Sequence, residues 1–282
     1  MSNKPIEASD YPIVGQGWIP EEDKPEHWSF EDKLMPLIGD YRYGSDTDGA
    51  AGDVDLRQPA SAVHSQRHTS SCVAQAVVKA LEIKRIQQFG PDAHVDLSRL
   101  FVYYLARELM FPSRVSKDDG TNIGIACDVL RRFGVPPETD WIWDPNKVYT
   151  PPSIMSMRNA YLHKIQAYYK IRSIGQQRVD AVKAALRAGN PVTFGTEVGV
   201  NWGLYRSYNP LRQEPLELPT IKTGRHATVL IGIKGDTFIG ENSWGTSWGH
   251  DGFYFMSPEV IASDKSDDFW VMTGAWQPWE KE

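Results

Sequence analysis

Four side chains in the sequence have the types and spacing for nucleophilic chemistry on a carbonyl: Gln66, Cys72, His226 and Asn242. Cys72 follows Thr69-Ser70-Ser71, whose hydroxyls are favoured helix N-caps, and precedes Val73, Ala76, Val77, Ala80 and Leu81 at helical spacing. It therefore falls in a first helical turn, where unpaired N–H groups and the macrodipole favour thiolate over thiol. Cysteine is also among the most buried residue types, so a plain core role competes with this reading. Gln66 tilts the balance. It lies six residues upstream on a polar loop, where its amide and the Cys72 N–H could together hold an oxyanion.

The segment Arg225 to Gly245 reads as two strands around a Lys234-Gly235-Asp236 turn. Pairing symmetric about residue 234 would set His226 across from Asn242. A neutral imidazole could then donate one N–H to the Asn oxygen and turn its other nitrogen to a nucleophile. The bland alternative is a strand-edge His near a turn Asn. Trp244 and Trp248 fit two accounts equally, core packing or a screen that keeps water from the Asn–His bond.

His64, His68 and Cys72 recur every four residues and would line up as metal ligands on one helix. The hydroxyl-rich stretch before Cys72 reads instead as a loop, and no fourth ligand is nearby, so no metal and no cofactor is expected. His64 and His68 are assigned to solvent-exposed loop, and His27, His94, His163 and His250 to the surface. Cys127 lies in a helical stretch among Ile123, Ala126, Val129 and Leu130 and is assigned to the core.

The elements that must position these groups follow from periodicity. Helices are expected from Cys72 onward with Lys79, Glu82, Lys84 and Arg85 as a polar face, from Leu97 to about Met110, from Asn122 to Phe133, and from Gln177 to Ala188. Strands are expected at 192–195, 227–233, 237–241, 252–256 and 270–273, with a long loop over 209–223. Helices followed by strands argue an α+β chain, plausibly of two lobes. Residues 1–52 carry Trp18, Trp28, Phe30 and Leu34 among many polar groups. They read as an extended strap packed on the domain, ending in Ser45 to Gly52, where a linker outweighs a calcium loop around Asp46 and Asp48.

On these residues the chain resembles the papain-like (C1 family) cysteine peptidases, more their prokaryotic branch than the lysosomal cathepsins. Gln66 precedes Cys72 by the family's six residues, and His226-Ala227 precedes Asn242-Ser243-Trp244-Gly245 as in the family motif. The resemblance runs from about Asp53 to Trp276. It implies a two-lobed α+β fold with a helical N-terminal lobe (about 53–170), an antiparallel β lobe (about 171–282) and the active-site cleft between them. It also implies that Cys72 is the nucleophile, His226 its base, Asn242 the residue orienting that His, and Gln66 an oxyanion donor. Asp119-Gly120-Thr121 is similar to the segment whose backbone pairs with extended substrate, which implicates Gly120. Gly17-Trp18-Ile19-Pro20 is similar to a short leader of prokaryotic relatives, and residues 1–52 are expected to lie near the cleft and restrict it. Where the family signature has Cys-Gly-Ser-Cys-Trp, this chain has Thr69-Ser70-Ser71-Cys72-Val73, without the disulfide partner, the loop glycine or the Trp.

Composition bounds the partners. The net charge of −6 lacks the basic excess that phosphate-backbone binding needs, so nucleic acid is not expected. No apolar stretch approaches the roughly 20 residues of a spanning helix, so no membrane is expected. The two cysteines form no disulfide framework, and the N-terminal stretch lacks a secretory h-region. The cytoplasm is the expected compartment, with export by another route left open. The expected partner is a peptide or protein substrate. Hydrolysis is the expected reaction, with transfer of the acyl group to an amine, or a non-catalytic peptide-binding module, as alternatives.

Overall fold

The computed structural model describes residues 17–38, 52–58, 61–205 and 214–276. The stretch Ser45 to Ala51 and the first part of the 209–223 loop lie outside them. Helices are α1 (Phe30–Lys33), α2 (Met35–Ile38), α3 (Cys72–Phe89), α4 (Arg99–Met110), α5 (Ile123–Arg132), α6 (Ile154–Ala160), α7 (Gly175–Arg187), α8 (Val200–Leu204) and α9 (Pro258–Ala262). Strands are β1 (Val54–Asp55), β2 (Lys164–Ile171), β3 (Val192–Gly199), β4 (Lys222–Lys234), β5 (Thr237–Glu241), β6 (Phe253–Met256) and β7 (Ser266–Trp276). The seven strands make one antiparallel sheet in the order β2-β7-β3-β4-β5-β6, with β1 also on β4. The chain is thus α+β, and α3 packs on β4 and β7 on one side and on α4 and α5 on the other.

That central place overturns one expectation. Lys79, Glu82 and Arg85 are buried rather than forming a solvent face. Packed on two sides, α3 has no face left for water, so its charges must find partners inside. Lys79 Nζ lies 3.4 Å from Glu82 and 3.2 Å from Glu241 of β5. Glu82 also accepts from the Ser61 hydroxyl at 2.7 Å and from the Leu97 N–H at 3.0 Å.

β2 and α6 were not foreseen. β2 pairs with β7 along nearly its whole length, from Lys164↔Trp276 to Ile171↔Phe269. Its Tyr168 and Tyr169 are half-buried in succession and Lys170 and Ile171 buried in succession, which blurs the two-residue alternation that signals a strand. His163, expected on the surface, is buried just before β2, and burial lowers its pKa to about 4.

α4 and α5 start as their sequences suggest: Ser98 Oγ accepts from the Phe101 N–H at 3.3 Å, and Asn122 Oδ1 from the Ile125 N–H at 2.9 Å. Replacing Asn122 by Ala should cost about 1 kcal/mol, because the freed N–H lies in a partly buried first turn. Thermal melting should fall by roughly 2–4 °C for a chain of this size. Asn122→Asp should restore most of the loss, and an unchanged melting temperature in the Ala variant would show that the cap contributes nothing.

Candidate active site

Cys72 is the first residue of α3. The preceding hydroxyls do not cap the helix as the sequence suggests. Ser71 makes no side-chain capping bond; its Oγ instead meets Thr69 Oγ1 at 2.8 Å and accepts from Gln75 Nε2 at 3.3 Å. The loop is held from outside, with the Ser70 N–H donating to Asp118 at 3.0 Å. The left-handed residue of this loop is Arg67, at φ 54°.

The β side meets the thiol directly. The Ala227 N–H donates to Cys72 Sγ at 3.4 Å, which sets His226, the residue before it on β4, at the same seam. His226 Nε2 and Asn242 Oδ1 are 2.8 Å apart. That oxygen also accepts from the Ser243 N–H at 2.7 Å, which fixes which end of the amide faces the ring. Nε2 is therefore the donor, and the neutral ring keeps its lone pair on Nδ1.

The sequence brought these two residues together through the wrong register. Lys234 pairs with Thr237 and Ile233 with Phe238, then a bulge between Leu230 and Gly232 shifts the pairing to Val229↔Glu241. Asn242, one residue beyond β5, therefore lies beside Thr228 and reaches His226 on the diagonal. Residues two apart share a face, so the contact survives the shift.

Gln66 ties the two halves of the site. Its backbone N–H donates to the Ser243 carbonyl at 2.8 Å, its Oε1 accepts from the Ser243 hydroxyl at 2.6 Å, and its Nε2 donates to the Thr69 carbonyl at 2.7 Å. The amide nitrogen carries a second N–H besides that one. Trp244 lies 4.9 Å from the His226 ring at 40°, and Trp202 lies 5.8 Å from it at 76°. Trp248 stacks on Trp202 at 5.9 Å and is buried. Trp244 thus fits the screening account and Trp248 the core account. Trp202, on the short helix α8, has no motif around it that would have singled it out.

The metal reading does not assemble. α3 begins only at Cys72 and His68 is exposed, so His64, His68 and Cys72 share no helical face. His64, expected in solvent, is buried, with Nε2 3.8 Å from Glu82. Cys127 is buried in α5, and burial pushes its thiol well above the usual range.

Residues 17–19 complete the surroundings of Cys72. Gly17 touches it so closely that a Cβ there would fall 1.9 Å from the Ser70 carbonyl oxygen and 3.0 Å from Sγ. The Gly17 carbonyl accepts from the Thr121 N–H at 2.9 Å, and the Ile19 N–H donates to the Thr121 carbonyl at 3.0 Å. Gly120, at φ +86°, lies against this segment; a Cβ on it would fall 2.2 Å from the Gly17 oxygen. Beside the strap runs an open groove of about 480 Å³ between Asp119 and the start of β4. Under this cover Cys72 has no exposure, and desolvation pushes its thiol up to about 12 against the pull of the N–H groups of Ala227, Val73 and Gly17.

Comparison with known proteins agrees with this geometry. A family model for papain family cysteine proteases matches residues 50–268. Xylellain, a cysteine protease from Xylella fastidiosa, is similar over 93% of this chain and 97% of its own, with TM-score 0.75 and 27% identity. An uncharacterized peptidase C1-like protein of Acanthamoeba polyphaga mimivirus is 28% identical over 80% of this chain and 73% of its own. Bromelain from Ananas comosus, solved with an inhibitor, shares the fold at TM-score 0.60 and 18% identity, over 79% of this chain and 99% of its own.

The raised thiol pKa has a direct readout. Alkylation of Cys72 by iodoacetamide in the intact protein should climb about tenfold per pH unit from pH 7 to 9.5, because only the thiolate reacts and its pKa lies far above that range. A plateau already reached at neutral pH would mean that the thiolate exists beneath the strap.

Proposed function

The chain belongs to the papain family of cysteine proteases, and from that membership we propose that it hydrolyses peptide bonds through Cys72, His226 and Asn242, with its N-terminal strap restricting access. The observation that carries the reading is the pair of contacts at the lobe seam: Ala227 N–H on Cys72 Sγ, and His226 Nε2 on Asn242 Oδ1.

In the open site His226 takes the Cys72 proton on Nδ1. The imidazolium keeps its Nε2 bond to Asn242, and the thiolate stands at the N-terminus of α3, where the helix dipole favours it. The thiolate adds to the substrate carbonyl, and the oxyanion is met by the Cys72 N–H and the second N–H of Gln66 Nε2. Collapse expels the amine, which leaves with the proton from His226. Water, deprotonated by the same ring, then resolves the thioester. Burial of the His226–Asn242 bond beneath Trp244 keeps it from competing with water.

Strap restriction is supported by the backbone pairing of residues 17–19 with Thr121 beside Gly120, the segment that the family resemblance assigns to substrate. The strap is anchored further by Trp18 Nε1 and the Glu21 N–H, both donating to Asp268 at 3.0 and 2.8 Å.

An epoxysuccinyl peptide inhibitor should add once, at Cys72, with the Trp18→Ala variant labelling faster than wild type. Cys72→Ala should label nowhere, and His226→Ala should label at least about 10²-fold more slowly. Gln66→Ala should lower turnover of a cleaved library peptide by roughly 10²–10³. Adduct formation that ignores His226, or library cleavage that survives Cys72→Ala, would sink the assignment. Equal labelling of Trp18→Ala and wild type would leave the strap a structural element.

A further inference from the structure

The side chain that the strap sends into the protein beside Cys72 is Trp18, and the walls it meets are unusual. Its indole lies flat on Gly195 of β3, where a Cβ would fall 2.0 Å from the ring. At the end of the ring, Nε1 donates to Asp268 Oδ2 at 3.0 Å. Asp268 is fully buried, and Lys170 Nζ lies 3.1 Å from its other oxygen. Trp18 itself is buried. The result is a slot with a bare backbone floor and a single carboxylate at its end.

The backbone is bent to put the carboxylate there. β3 and β7 pair as Thr193↔Trp270 and Gly195↔Asp267, so Asp268 and Phe269 together face the one residue Phe194. This bulge holds Asp268 at φ 53°, a left-handed conformation that non-glycine residues rarely adopt. Bulges re-aim side chains, and strain of this kind collects where a side chain must face a ligand. Phe269 stacks on Phe194 at 4.9 Å and so holds the bulge in place.

The strap occupies the slot in the manner of an extended peptide. Gly17 lies at the thiol, the next residue fills the slot, and backbone bonds to Thr121 flank it on both sides. We propose that Gly195 and Asp268 make the Trp18 slot select peptides carrying a flat aromatic side chain with an N–H donor, tryptophan foremost. The proposal rests on the peptidase reading above and adds the substrate class to it.

Three features make the selection. The missing side chain at Gly195 admits a wide planar ring where a Cβ would exclude it. Oδ2 of Asp268 loses two donors, Trp18 Nε1 and the Glu21 N–H, when the strap departs, and a buried acceptor left unsatisfied is costly, so a ligand bearing an N–H gains over one that lacks it. Lys170 already supplies the positive partner of the carboxylate, so a second cation from an arginine or lysine substrate would meet like charge. A neutral donor fits the slot without a third charge.

The test uses the full-length Trp18→Ala variant, in which the slot is open while the rest of the strap remains. N-acetyltryptophanamide should bind it at least about tenfold more tightly than N-acetylleucinamide in calorimetry, and the wild type, with its slot filled, should bind neither. In a mixed peptide library the same variant should enrich Trp at one fixed position of the cleaved peptides. The triple variant Trp18→Ala, Lys170→Met, Asp268→Leu replaces the buried pair by apolar groups of similar volume, which proteins often tolerate. Its Trp over Leu ratio should drop about tenfold in both assays. Cleavage with no Trp enrichment, or enrichment that survives in the triple variant, overturns the pocket assignment and leaves the peptidase reading standing. Tight binding of the Trp amide with no cleavage of any peptide overturns the peptidase reading, and with it the slot becomes only an anchor for the strap.

Discussion

A thiol on a helix and an imidazole on a sheet can act together only if helix and sheet are locked in one relative position, and the lock is the buried ion pair of Lys79 with Glu241. Lys79 stands two turns along α3 from Cys72, and Glu241 is the residue before Asn242, so a single 3.2 Å contact joins the element of the nucleophile to that of the Asn. Burial pushes the Glu241 carboxyl up to about 7 even with Lys79 opposing it, a measure of how little water reaches this seam. Removing Lys79 would strand the carboxylates of Glu82 and Glu241 in the interior, which costs far more than the pair itself contributes. The remaining seam contacts follow from that alignment: Ala227 on the thiol, and Ser243 on Gln66.

The end of α3 meets two opposed influences. Its free N–H groups favour a thiolate, but only where the surroundings can also support charge. With residues 17–19 drawn across it, the same sulfur is fully desolvated and its proton is held. Burial outweighs the pull of the nearby N–H groups, that of Gly17 among them. Gly17 suits this contact because any Cβ would strike the Ser70 carbonyl.

Much of this was legible in the sequence because it depends on local signals. The apolar spacing after Cys72, the helix starts near Leu97 and Asn122, and the Asn242-Ser243-Trp244-Gly245 run each announce themselves within a few residues. What was not legible depends on what packs against what. The charges of α3 look like a solvent face until the helix is seen to lie between the sheet and the helices α4 and α5. His64 and His163 look like surface residues until a carboxylate or a strand covers them. The turn displaces the register from the symmetric pairing by an odd step and the bulge in β4 takes one residue back, which nothing in the turn residues foretells; His226 and Asn242 still meet because the net shift is even and so preserves the face. Trp202 and Asp268 lie far from every motif, and only the folded chain brings one to the His226 ring and the other to Trp18.

β7 lies inside the sheet, between β2 and β3, although it is the latest of the described strands along the chain. A chain made from its N-terminus therefore emerges with Cys72, His226 and Asn242 already present but with two sheet edges still unpaired. Such edges are sticky, and non-local pairing of this kind is slow. Synthesis must reach Ser266–Trp276 before the sheet can close, and that stretch also delivers Asp268, the residue that grips Trp18 and Glu21. The stretch that closes the sheet is thus also the one that supplies the carboxylate gripping the N-terminal segment, so the last of the described strands and the first of the described residues are fastened to each other.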